Sequence, residues 1–261
     1  MSTQTEKTQI QLAEEFLAKY ATVIGTLDAI KEKDRKFLLK YATVVGTPEA
    51  VNALIGDIDF TQKNIVFNDN LATDKQISIT DGVHTVNLNG NRITPKPGTV
   101  IFDDNVGVKT WSLLSVNGSD TDVTIEGNGS IIATPDDSYA IDVRDGAKLT
   151  IIDGEFVGNI SSVYVLNGEL TIKGGTYKIQ QLGNENVQGG YGYVINCLDA
   201  NYKNGSAKVS IEGGTFYGFN PADNPEGAGT TYVADGYTVV ETTDGEIPVY
   251  TVVKDSTGSD E

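Results

Sequence analysis

Two carboxylates stand side by side at Asp136 and Asp137, in the stretch PDDSYAID over positions 135–142. Paired acids are the raw material of glycoside cleavage, in which one carboxyl protonates the leaving oxygen and the other activates water or attacks. Neighbours on a strand point to opposite faces, so this pair cooperates only if the chain bends there. Pro135 directly before it makes a turn the simpler reading. Other reactive residues are scarce. His84 is the one histidine, Cys197 the one cysteine, and the arginines are Arg35, Arg92 and Arg144. A lone histidine and a lone cysteine supply neither a zinc site nor a disulfide framework, so no metal and no cofactor is expected. Arg144 lies between Asp142 and Asp145, which reads as charge pairing at a strand end. His84, in DGVHTV, is expected on the solvent side of a strand.

Binding has better material than catalysis. Trp111, Tyr191, Tyr193, Tyr202 and Tyr217 lie in or beside the longest irregular stretches, 94–110, 179–192 and 198–207, and offer flat faces to sugar rings. Asn, Gln and Asp around them can bond sugar hydroxyls. The alternative is that half of these aromatics pack over the ends of structural turns.

The formal charge of −17 over 261 residues argues against nucleic acid and against an anionic membrane, both of which need Lys/Arg patches. The start MSTQTEKTQIQLAEEF lacks the basic and apolar regions of a secretory signal, and no apolar run reaches the ~18 residues of a membrane span. The protein is expected to be made in a cytoplasm.

Positioning falls to two differently written regions. Over residues 1–56, FLAKYATVIGT (16–26) returns as FLLKYATVVGT (37–47), 21 residues later. Phe16, Tyr20, Val23, Leu27 and Ile30 alternate at spacings of four and three, and Phe37, Tyr41 and Val44 rejoin that stripe because 21 is three heptads. Gly25 and Gly46 read as helix ends, and Thr47-Pro48-Glu49 as a helix start. The spacing predicts short helices near 6–24, 27–45 and 48–55. These form an anchor or oligomerisation module, with a homotrimer as the expected self-association.

Residues 57–219 change to Gly, Asn, Thr, Val and Ile. One motif recurs five times: VNLNGNRI (86–93), VTIEGNGSI (123–131), LTIIDGEF (149–156), LTIKGGTY (170–177) and VSIEGGTF (209–216). Each opens with the period of a half-buried strand, turns on Asn, Asp or Gly, and ends on an apolar residue. Aligned, the third positions are Leu88, Ile125, Ile151, Ile172 and Ile211, and the last are Ile93, Ile131, Phe156, Tyr177 and Phe216. Between motifs run second strands, SLLSV (112–116), YAIDV (139–143), SVYVL (162–166) and GYVIN (192–196). Columns of like residues mean one unit stacked on the next. The reading is mainly β: a parallel β-helix of six or seven turns, roughly 30 Å long at ~4.8 Å per turn. Residues 220–261 complete the chain as a cap, with GYTVVE (236–241) and PVYTVV (248–253) forming a hairpin about Asp244-Gly245, and a tail.

This ladder resembles the right-handed parallel β-helix proteins of the pectin-lyase-like superfamily over about 57–219. The run from Phe216 through Asn220, Pro221, Asn224, Gly229, Tyr232, Val233, Asp235 and Gly236 is similar to an ending found in β-helix proteins of tailed bacteriophages and gut-bacterial surfaces. Such folds host polygalacturonases, pectate lyases and phage depolymerases, and 135–142 looks like the Asp-Asp stretch of polygalacturonases. The rest of that pattern is missing: no Gly-His-Gly is present, His84 lies far upstream, and no Arg-Ile-Lys follows. The resemblance therefore implies a non-enzymatic virion protein, a head fibre or capsid-surface protein or else a tail fibre. It would contact capsid or portal-proximal proteins and host-surface or mucus glycans. A polysaccharide-degrading spike and a gut-bacterial surface adhesin are the alternatives.

Overall fold

The structure is a computed structural model and describes residues 22–24, 44–45, 64–98, 111–135, 137–183, 192–224 and 230–256. Two short strands come first, β1 (Thr22–Ile24) and β2 (Val44–Val45). The chain then winds through three sheets in strict rotation. The first turn comprises β3 (Asn64–Phe67), β4 (Leu71–Thr73) and β5 (Ile77–Ile79), and the second β6 (Gly82–Asn87), β7 (Arg92–Pro95) and β8 (Ser112–Asn117). Three further turns follow: β9 (Thr121–Glu126), β10 (Ser130–Ile132) and β11 (Tyr139–Arg144); β12 (Lys148–Ile151), β13 (Glu155–Gly158) and β14 (Ser161–Val165); β15 (Glu169–Ile172), β16 (Thr176–Ile179) and β17 (Ile195–Cys197). A helix, α1 (Asp199–Asn204), leads to β18 (Lys208–Ile211) and β19 (Gly214–Tyr217), and β20 (Tyr237–Asp244) and β21 (Ile247–Lys254) end the fold.

Every strand from β3 to β19 pairs in parallel with its counterparts one turn away, which makes the fold a parallel β-helix. The expected columns are direct partners. Ile125, Ile151, Ile172 and Ile211 align in the first sheet, and Ile93, Ile131, Phe156, Tyr177 and Phe216 in the second. These side chains are all buried and belong to one continuous core. The first column differs from the sequence alignment at one place: Val86, not Leu88, pairs with Ile125. Both residues are buried, and a slip of two residues preserves the face, so alternation alone does not distinguish them. Ile65 and Leu71 begin these columns in a turn with no counterpart among the five motifs.

The paired glycines of the repeat serve the corner between first and second sheets. A Cβ on Gly174 would stand 2.2 Å from the Ile152 carbonyl oxygen of the preceding turn, and one on Gly213 2.2 Å from that of Lys173. The second glycine of each pair adopts positive φ, 91° at Gly175 and 102° at Gly214. One glycine permits close stacking of turns and the next permits the bend. Connections at this corner stay short throughout. Length varies at the corner leading into the third sheet, where 96–111 and 180–194 are inserted, and before β18, where α1 sits within the stretch expected to be an irregular 198–207.

Inside the second sheet the column becomes an aromatic stack. Phe156 and Tyr177 lie 5.3 Å apart between ring centres, and Tyr177 and Phe216 4.9 Å. The stack continues into the cap through Phe219 (6.1 Å) and Tyr232 (6.4 Å). Val233 bridges Ile211 in parallel, so the segment after the Pro/Asn-rich loop stands where the next strand of the first sheet would be. The hairpin forms as expected, with Asp244 opposite Ile247 and Gly245 at φ 62°. Its strand β21 pairs antiparallel with β19.

At the other end, β1 pairs in parallel with both β3 and β2 in the first sheet. Val23 and Val44, expected on helices, thus stand on strands, as the β-branched runs Thr22-Val23-Ile24 and Val44-Val45 favour. Phe16, Tyr20, Leu27, Ile30, Phe37 and Tyr41, with the remainder of the expected helices, lie outside the described residues.

Candidate binding surface on the third sheet

Alternation along β11 directs Ile141 and Val143 into the core, where they pair with Leu114 and Val116 of β8 and with Val163 and Val165 of β14. Asp142 therefore faces outward. Ser78, Ser115, Asp142, Tyr164 and Asn196 form one outward row, a residue per turn. The polar members are linked. Asn117 Nδ2 donates to Ser78 Oγ at 2.9 Å and to Ser115 Oγ at 3.3 Å, and Ser115 Oγ donates to Asp142 Oδ1 at 2.5 Å. Gln76 Nε2 donates to both the carbonyl and the hydroxyl of Ser112 at 3.0 Å.

Although it faces outward, Asp142 is only 1% exposed. Burial pushes its carboxyl up to about 6; the Ser115 hydrogen bond, the Arg144 charge and Ser112 oppose that rise. Arg144 Nε is itself buried without a hydrogen bond and lies 4.0 Å from Asp145 Oδ2, which agrees with the charge pairing read from sequence.

A half-buried aromatic ladder meets this row at Tyr164. Trp111, just before β8, lies 6.3 Å from Tyr139 at the start of β11, and Tyr139 stacks on Tyr164 of β14 at 5.0 Å. Each comes from a successive turn, but they are not register partners: Tyr139 pairs with Ser112 and Ser161, and Tyr164 with Asp142. Only Trp111 was among the sequence candidates. Tyr139 and Tyr164 were legible as members of the second strands YAIDV and SVYVL, but their convergence depends on how the strand starts turn at the corner.

The other candidates do not join them. Tyr217 faces outward on the second sheet, with Lys178 Nζ 4.5 Å from its ring centre and that ammonium bonded to Glu155 at 3.0 Å. Tyr202, on α1, meets Tyr232 edge-on at 5.5 Å and packs against the core, the end-of-turn role weighed as the alternative. Tyr193 is half-buried just before β17, and Tyr191 lies outside the described residues.

Asp136 also lies outside the described residues. Asp137 occupies a turn: its φ is 58°, its N–H donates to Asn159 Oδ1 at 2.9 Å, and Ser138 N–H closes onto the Pro135 carbonyl. His84 corrects its sequence reading. It pairs with Val123 on the inward side of the first sheet and is 2% exposed, with Nε2 2.5 Å from the Asp81 carbonyl oxygen. Gly82, at φ 80°, turns the chain there, and a Cβ on it would stand 2.9 Å from that nitrogen.

Among the described residues no group of three or more His, Cys, Asp or Glu is arranged to hold a metal, and no helix is long and apolar enough to cross a membrane. On the third sheet the half-buried rings lie near the half-buried Ser78, Asn117 and Asn196, while Ser112, Ser115 and Asp142 are buried beneath them. Such rings and amides can stack on and hydrogen-bond a polyhydroxylated ligand. Comparison of the chain with protein-family models, with curated proteins and with solved structures finds no match.

Proposed function

We propose that this protein is a non-enzymatic structural rod of a tailed-bacteriophage virion, a head fibre or capsid-surface protein that presents its β-helix for adhesion to glycans. The observation that carries the non-enzymatic part is the use to which outward polar groups are put. On the first sheet Asp122, Lys148, Glu169 and Lys208 are register partners in succession, alternating in sign. Lys208 lies 2.7 Å and Lys148 3.9 Å from Glu169. On the third sheet Asp142 is held by Ser115. Glu169 and Asp142 thus tie one turn to the next instead of facing one another across a substrate-sized gap.

The phage context rests on the similarity of the run from Phe216 to Gly236 to endings of phage β-helix proteins, and membership of the pectin-lyase-like superfamily on the columnar repeat. Adhesion is supported by the Trp111–Tyr139–Tyr164 ladder, with many copies on a particle supplying avidity. The test pairs a glycan-binding array with a reducing-end assay on bacterial capsular polysaccharides. Retained glycans without new reducing or unsaturated ends support the reading. Chain cleavage would replace it with a degrading spike, and no retention on any glycan would remove the adhesive role.

A further inference from the structure

The N-terminal edge of the first sheet holds a feature that the rod reading does not use. The order of strands there is β6, β3, β1, β2. A solenoid stacked in chain order would set β2 beside β3, because β2 comes next to it in sequence. Instead β1 takes that position, with Thr22 opposite Ile65 and Ile24 opposite Phe67. β2 then adds outside β1, with Val23 opposite Val44.

The two donor strands are nearly the same peptide. Ala21-Thr22-Val23-Ile24-Gly25 and Ala42-Thr43-Val44-Val45-Gly46 differ at one position. Val23 and Val44, which pair, are also equivalent positions of the 21-residue repeat. The same interval separates paired residues in the solenoid's shortest turns, Ile65 with Val86 and Ile151 with Ile172. Each copy therefore carries a strand suited to the first sheet. The edge of β3 reads the short sequence that both copies share and not the distance along the chain, since it is filled by the more distant copy.

We infer that this edge is a self-association surface at which strands are exchanged between copies, the β1 segment of a second chain replacing the resident β1 on the β3 of its neighbour. Each chain brings two donors and one acceptor, and a donor from another chain presents the same backbone and the same residues. Exchange of an identical element between protomers keeps the same pairing and is a low-cost route to assembly. The inference holds whether or not the protein belongs to a virion, and it assigns assembly to strands where the sequence suggested helices.

Val23 and Val66 are direct register partners, which allows a cross-linking test on the full-length chain. One variant carries Val23→Cys and a second carries Val66→Cys, and the buried Cys197 is kept in both. The two are co-refolded and treated with a short thiol-reactive cross-linker. The expected product is a covalent dimer whose digest contains a peptide joining residues 23 and 66 of different chains. A double variant that closes only within the monomer, with no mixed dimer from the separate variants, overturns the inference. So does the absence of any 23–66 product, or a dimer linked only through 23–23 or 66–66.

Discussion

The two ends of the solenoid are finished by opposite means. At the C-terminal end the aromatic column runs out through Phe216 and Phe219 onto Tyr232, Val233 bridges Ile211, and an antiparallel hairpin extends the second sheet. Those segments are unlike any turn of the rod, so they end the repeat instead of continuing it. At the N-terminal end the added strands are parallel and are copies of one another. On the strand-exchange proposal, the first kind of ending closes the repeat and the second accepts another copy of its motif. The difference teaches that a solenoid's polarity is set by its terminating segments and not by its turns, which are much alike from β3 to β19.

The largest expected effect is at the closed end. Tyr232→Ala removes a buried ring from the cap and should cost about 3–5 kcal/mol by the usual large-to-small core scale, read as a fall in the urea midpoint. Thr22→Pro, which removes a donor from β1, should shift the same midpoint far less while changing the mass distribution in light scattering. Equal losses from both variants would break the comparison. Light scattering of the full chain beside a version starting at Gly56 sharpens it further. An oligomer that becomes monomeric on truncation places assembly at the open end.

Mid-rod lesions set the scale for both ends. A Cβ on Gly158 would fall 1.6 Å from the Ser161 carbonyl oxygen, so Gly158→Ala must move backbone and should destabilise by roughly 2 kcal/mol or more. Gly192→Ala, with no atom of the described residues within 4 Å of the added Cβ, should change stability by under about 0.5 kcal/mol in the same denaturation series.

Asp142 gives a pH signature on the side wall. Its folded value of about 6 lies above its ordinary 3.8, so the folded state binds the proton more tightly than the unfolded one. Its contribution is most favourable below pH ~4 and is lost as pH rises to ~6, an effect of about 3 kcal/mol at most. Asp142→Asn should flatten that part of the stability profile and raise the melting point at pH 7, with little change at pH 4. A profile of unchanged slope would show that the carboxyl is not desolvated as its burial implies. A small effect is expected from Glu169→Gln. The carboxyl's hydrogen bond and ion pairs with Lys208 and Lys148 are largely exposed, and their loss should cost under about 1 kcal/mol and vanish in high salt.

Much of this fold was legible because parallel in-register stacking writes like residues at like positions, as Ile125, Ile151, Ile172 and Ile211 do. The hairpin was legible from Asp244-Gly245 between two β-branched runs. The N-terminal strands were misread for a numerical reason: a 21-residue period is three helical heptads and also one short solenoid turn. Composition at Thr22-Val23-Ile24 favoured the second, but the wider stripe of aromatics favoured the first. The third-sheet surface was half legible. YAIDV places Asp142 outward by alternation, yet neither its burial nor the approach of Tyr139 to Tyr164 follows from a single strand. His84 went the other way, because it shares the inward face with Val86 and Leu88, and its ring nitrogen meets the Asp81 carbonyl there.

The insertions at 96–111 and 180–194 both fall at the corner that leads into the third sheet, and the registers of β8 and β17 survive them. Inheritance can therefore lengthen, shorten or exchange sequence along that ridge while the hydrogen-bonded ladder beneath stays unchanged. The rod behaves as a fixed rail whose variable margins lie on either side of the third sheet, and divergence should concentrate there, leaving the glycine-built corner nearly constant.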